Sequence, residues 1–88
     1  MNEYPHLSQA LSKTIEMFRK NRKMTKSALA EFAWLERHYL RDIELGVKKP
    51  SLNAVYSICR ALQVSPCDFF QALENERQKL ECLTKMDG

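Results

Sequence analysis

Between Pro5 and Gly88, only Gly46, Pro50 and Pro66 interrupt the chain. Glycine and proline make sharp turns possible, and a fold built of many short strands needs a good supply of them. Their scarcity therefore directs this chain towards helices. The apolar residues agree, because they recur every three or four positions, the spacing that puts them on one side of a helix. With 88 residues, 44% of them hydrophobic, the chain has the material for one domain around one modest core.

Five helices can be drawn. The first covers roughly Ser8 to Arg22, with Leu7, Leu11, Ile15 and Phe18 along one side. Thr25 caps a second, Lys26 to Ala33, in which Leu29, Ala30 and Phe32 or Ala33 face inward. A turn at Trp34-Leu35 leads to a third, Glu36 to Leu45, ended by Gly46, which tolerates positive φ. Pro50 and Ser51 open a fourth, Leu52 to Leu62, with a stripe of Leu52, Val55, Ile58, Cys59 and Leu62. Ser65, Pro66 and Asp68 make a strong start for a fifth, which carries Phe69, Phe70 and Leu73 and meets no breaker through Leu80 and Leu83 towards Met86.

Composition narrows the function. No apolar run reaches the roughly 18–20 residues of a membrane span, and the first residues lack the layout of a signal peptide, so a cytoplasmic location is expected. Cys59, Cys67 and Cys82 form no C-x-x-C pair and have no histidine in ligand register, so they are expected to be reduced and mostly packed, with no metal and no cofactor. Paired carboxylates, a phosphate-binding glycine loop and a nucleophile–base pair are all missing, which argues against an enzyme. Lys13 to Lys49 carries ten Lys or Arg against five Asp or Glu, whereas the rest of the chain is net acidic. That asymmetry is weak support for a polyanionic partner.

The second and third helices, joined by a tight turn, are either a DNA-reading unit or a corner of a bundle. Such a unit needs a second helix anchored along one stripe and polar along the other. Leu40 and Ile43 point inward, leaving Arg37, His38, Arg41 and Asp42 free to enter a major groove. An arginine such as Arg37 can bind guanine O6 and N7 with two hydrogen bonds. Arg41, nearer the flank, suits a phosphate.

The stretch Arg19 to Leu73 resembles the phage-repressor helix-turn-helix family, of the Cro and lambda-repressor type. The resemblance is carried by Phe18-Arg19, Thr25-Lys26-Ser27-Ala28-Leu29-Ala30, Tyr39-Leu40-Arg41-Asp42-Ile43-Glu44-Leu45-Gly46, Lys49-Pro50-Ser51 and Ala61-Leu62-Gln63-Val64-Ser65. No single piece is specific, but the ordered set is. It implies base contacts from Arg37, His38 and Asp42, and a base or phosphate contact from Tyr39. It implies backbone contacts from Lys26, Lys48 and Lys49, and a structural ion pair between Arg19 and Glu44.

There are departures. Trp34 stands where the family has Gly or a small polar residue, so the turn must avoid positive φ or carry strain. Trp34 is expected to pack in the core or at the hinge. Glu36 and Asp42 bring negative charge to the reading face, which repels phosphate but can accept from a cytosine amino group.

The expectation is an all-α, five-helix, lambda-repressor-like domain, with a tail at 1–7, the DNA-binding domain at 8–73 and a helical extension at 74–88. It would bind double-stranded DNA as a homodimer, through Leu73, Leu80 and Leu83, and regulate transcription as a repressor or autoregulator. The competing reading is a protein-interaction module, antitoxin-like, that kept this fold with little or no specific DNA binding.

Overall fold

The computed structural model describes residues 3–87, with side chains through Leu83. It contains five helices: α1 (Leu7–Asn21), α2 (Lys26–Phe32), α3 (Arg37–Glu44), α4 (Leu52–Leu62) and α5 (Pro66–Asp87). There is no strand among the described residues. α1 lies along α5 and touches α3, while α2 is held between α3 and α4.

Three helix starts follow from side-chain caps. Thr25, Ser51 and Ser65 accept hydrogen bonds from the backbone N–H groups of Ala28, Ala54 and Asp68, at 3.0, 3.1 and 3.0 Å. Each satisfies a donor that has no partner inside its own helix. Pro66 is the first residue of α5, where its missing N–H costs nothing.

The first four helices all end in the same way. A residue just past the helix takes a left-handed conformation, at Lys23, Trp34, Gly46 and Gln63, with φ between 55° and 76°. The next N–H then reaches back to a carbonyl five residues earlier: Met24 to Arg19, Leu35 to Ala30, Val47 to Asp42 and Val64 to Cys59, at 2.9–3.0 Å. This closure satisfies carbonyls that the helix end leaves open. Only one of the four positions is glycine, so few glycines did not mean few tight turns.

The core is built from Ile15, Leu29, Leu40, Ile43, Ile58, Leu62 and Phe69, each almost fully buried. Phe18 stacks on Phe69 at 5.9 Å between ring centres, joining α1 to α5. Arg77 is also buried, clamped by Glu74 at 2.8 and 2.9 Å and by Glu81 at 2.7 Å, beneath the ring of Tyr4 at 4.9 Å. The hydrogen bonds from Arg77 hold the Glu74 carboxyl below the ordinary glutamate range.

Several expectations need correction. Leu7 begins α1, one residue before the expected start, and Glu3 and Tyr4 make specific contacts; Met1 and Asn2 lie outside the described residues. α5 runs unbroken to Asp87, as the absence of a breaker led us to expect; Gly88 lies outside the described residues. Leu52 is exposed and so is Phe32, Ala33 being the inward residue. Cys59 is buried, which pushes its thiol up to about 11, but Cys67 and Cys82 are exposed. Trp34 does not pack at all: it is 92% exposed.

Candidate nucleic-acid interface

α3 is short, so its aim depends on what holds it. Leu40 and Ile43 enter the core. Glu44, on the same buried side, meets Arg19 of α1 at 3.2 Å, and the Arg19 guanidinium also donates to the carbonyl of Met24 at 2.9 Å. One Glu44 oxygen accepts the hydrogen bond; the other is held by charge alone. Ser12 donates to the backbone carbonyl of Glu44. The end of α3 is thus fastened to α1 by an ion pair whose side chains are 10% and 1% exposed. With one partner removed, the other would be left charged in a poorly solvated place.

The opposite side of α3 is open. Arg37, His38 and Arg41 are exposed, and Asp42 is half-buried. Arg37 donates to the hydroxyl of Ser27 on α2 at 3.3 Å, which steadies the guanidinium across the two helices. Asp42 accepts from Arg41 at 3.3 and 3.4 Å. Its charge is therefore matched by a neighbour, and the repulsion of phosphate expected from the sequence is reduced. Glu36 is not inside α3 but is its N-cap residue, with no side-chain cap hydrogen bond. Its charge sits beside the positive end of the helix dipole.

The flanks carry the remaining cations. Lys26 is the exposed first residue of α2. Lys48 and Lys49 are exposed in the loop between α3 and α4, with the Lys48 ammonium over the ring of Tyr39 at 5.9 Å. The Tyr39 hydroxyl accepts from the Ser51 N–H at 3.2 Å and ties α3 to the start of α4. Its own O–H is left to donate, as a phosphate oxygen requires. Lys49 lies 4.0 Å from Glu3, whose carboxyl is held low mainly by the Ser8 backbone N–H.

Two features of this face had no signal in the helical periodicity. Leu45 and Val47 are exposed beside the lysine loop, at 61% and 72%, because the left-handed turn at Gly46 swings the chain outward there. Apolar side chains so placed can touch a thymine methyl. The residues expected at a dimer seam do not behave alike. Leu73 is spent largely on the chain's own core, Leu80 is half-buried against it and Leu83 is 59% exposed. Phe70, 38% exposed, stands beside a small apolar hollow lined by Leu7, Leu11, Val55 and Leu73.

No group of side chains suited to a metal ion occurs among the described residues, and no described helix is long and apolar enough to cross a membrane.

Comparison with known proteins agrees with this geometry. The helix-turn-helix family matches residues 15–69, well over half of the chain. An immunity repressor protein of Bacillus phage phi105 is 42% identical over 66 residues, covering 73% of this chain and 46% of the repressor. The chain thus spans about half the length of that relative. The restriction-modification controller protein C.Esp1396I superposes with a TM-score of 0.76 at 30% identity, over 80% of this chain and 90% of that one. The same controller, as a tetramer in complex with its natural 35 base-pair operator, gives 0.77 at 29% identity, over 82% and 95%. The clp gene regulator ClgR from Corynebacterium glutamicum gives 0.86 at 26% identity, over 97% and 90%. With its two-helix unit, its anchored third helix and these relatives, the chain belongs to the helix-turn-helix family.

Proposed function

We propose that this chain is a sequence-specific, double-stranded DNA-binding regulator of transcription, acting as a repressor of its own or a linked promoter. The observation that carries the reading is α3 itself. It is fastened by Leu40, Ile43 and the Arg19–Glu44 pair, and it presents Arg37, His38 and Arg41 to solvent together. In this reading α3 enters the major groove. Arg37 and His38 touch base edges, with Asp42 beside them. Lys26, Arg41, Lys48, Lys49 and the Tyr39 hydroxyl hold phosphates. No catalytic step is assigned to the chain, and its setting is intracellular.

The active species in this proposal is a homodimer. Two copies related by a two-fold axis would put their reading helices about 34 Å apart, one turn of DNA. The seam would be formed by α5, through Leu83, the edge of Leu80, and Phe70 entering the apolar hollow of the partner. The operator-bound tetramer of C.Esp1396I is a precedent for assembly on DNA in this family.

The test is fluorescence anisotropy on duplexes tiling the DNA upstream of the gene, at several salt concentrations. One duplex bound far more tightly than the rest, with steep salt dependence, is the expected result. Equal, weak binding to all of them would reject self-repression.

A further inference from the structure

The backbone of Trp34 closes α2, but its side chain gains nothing inside its own fold. The residue holds a left-handed φ of 59°, a conformation that favours glycine, and its ring is 92% exposed. Its surroundings suggest where the gain lies. Three shallow hollows run side by side from the end of α2 across α4. Arg22 and Phe32 line the first, Phe32, Trp34 and Arg60 the second, and Arg60 and Tyr56 the third. Phe32 is 66% exposed and Tyr56 51%. No Asp or Glu lines any of the three. Arg22 is bonded to Gln63, but the Arg60 guanidinium has no partner among the described residues.

We propose that this aromatic and arginine strip is a docking surface for a second protein, which presents a short acidic, amphipathic segment to it. Apolar side chains of that segment would cover Phe32, Trp34 and Tyr56, and carboxylates would meet Arg60 and Arg22. The commitment rests on charge complementarity. Exposed aromatics flanked by cations, with no acid among the residues lining the hollows, select an anionic partner that also carries apolar groups. A DNA duplex matches less well: the strip has only two cations, one already engaged, and a duplex whose bases are stacked on one another would leave the aromatic surface uncovered. The strip also lies at the end of α2 opposite Lys26, about 10 Å away along the helix. A partner can therefore sit there while α3 faces DNA. This inference holds whether or not α3 reads DNA.

The test begins with a displayed library of random peptides, selected on the intact folded chain and counter-selected on a Trp34→Gly, Arg60→Gln double variant that keeps its helical circular dichroism. Enrichment of peptides that combine Asp or Glu with Leu, Phe or Trp is the expected result. Trp34 is the only tryptophan in the chain, so a synthetic copy of an enriched peptide that lacks tryptophan should shift its emission to the blue, saturably. Arg60→Gln should weaken that binding by roughly tenfold, the scale of one charge-assisted contact. Enriched peptides without acidic residues, or no enrichment at all, would overturn the proposal. So would a blue shift that grows with protein concentration alone, which would assign the strip to a second copy, or one produced by duplex DNA, which would assign it to nucleic acid.

Discussion

Replacing Trp34 with glycine should make the protein more stable, although it deletes the largest side chain in the molecule. The left-handed conformation costs a non-glycine residue roughly 1–2 kcal/mol. Glycine gives back part of that gain, on the order of 0.5–1 kcal/mol, because it is freer in the unfolded chain. The lost packing is small, since Trp34 is 92% exposed. The net is a stabilisation of about 0.5–1 kcal/mol, or a rise in Tm of roughly 2–8 °C for a domain of this size. Thermal and urea unfolding followed by far-ultraviolet circular dichroism measures it without needing the tryptophan. Trp34→Ala is the control: it keeps a β-carbon, so the backbone cost stays, and its stability should lie close to the parent. A glycine variant less stable than the parent by a kilocalorie or more would refute the reasoning. It would mean either that Trp34 packs against the fold or that the turn is not left-handed.

Arg37→Ala should relax sequence preference and cost roughly 1–3 kcal/mol in binding to the preferred duplex, whereas Lys49→Ala should weaken all duplexes alike and lower the salt slope by about one. Competition across a set of operator variants separates the two. Glu44→Ala leaves Arg19 buried without its counter-charge and should cost about 3–5 kcal/mol in urea unfolding, so any loss of DNA binding should track unfolding. Cys67 and Cys82 should react quickly with an aromatic disulfide reagent at neutral pH, and Cys59, buried with its thiol raised to about 11, only on denaturation. Glu74 has a folded-state pKa below the ordinary 4.5, so its link to Arg77 is intact above that value and is lost as the pH falls through the lower one. In acid titration followed by unfolding, Glu74→Gln should flatten that part of the profile.

The helix pattern and the DNA-reading unit were legible in the residues because both depend on local rules. An apolar period of three to four, a hydroxyl cap at Thr25, Ser51 or Ser65 and a helix-stopping Gly46 act within one or two turns of chain. The outward stripe of Arg37, His38 and Arg41 follows from the same period once Leu40 and Ile43 are assigned to the core.

What the residues left open was how the helices lean on one another. Period alone put Leu52 inside, did not choose between Phe32 and Ala33, and put Leu73 on a free seam; packing put Leu52 and Phe32 in water and Ala33 and Leu73 in the core. The pairing of Asp42 with Arg41, and of Arg77 with Glu74, Glu81 and Tyr4, depends on rotamers that spacing does not choose. Trp34 is the clearest case. From the sequence, a bulky residue at the turn suggested burial, and either a different turn or a strained one. The structure keeps the left-handed turn and leaves the ring outside, because the bond from Leu35 back to Ala30 and the burial of the helices on either side outweigh the local backbone cost. By itself, then, the sequence determined which segments are helical and which face of α3 is polar, since those are short-range properties. Only the tertiary structure decided which apolar side chains were left for a partner, because that depends on how much of each helix its neighbours cover.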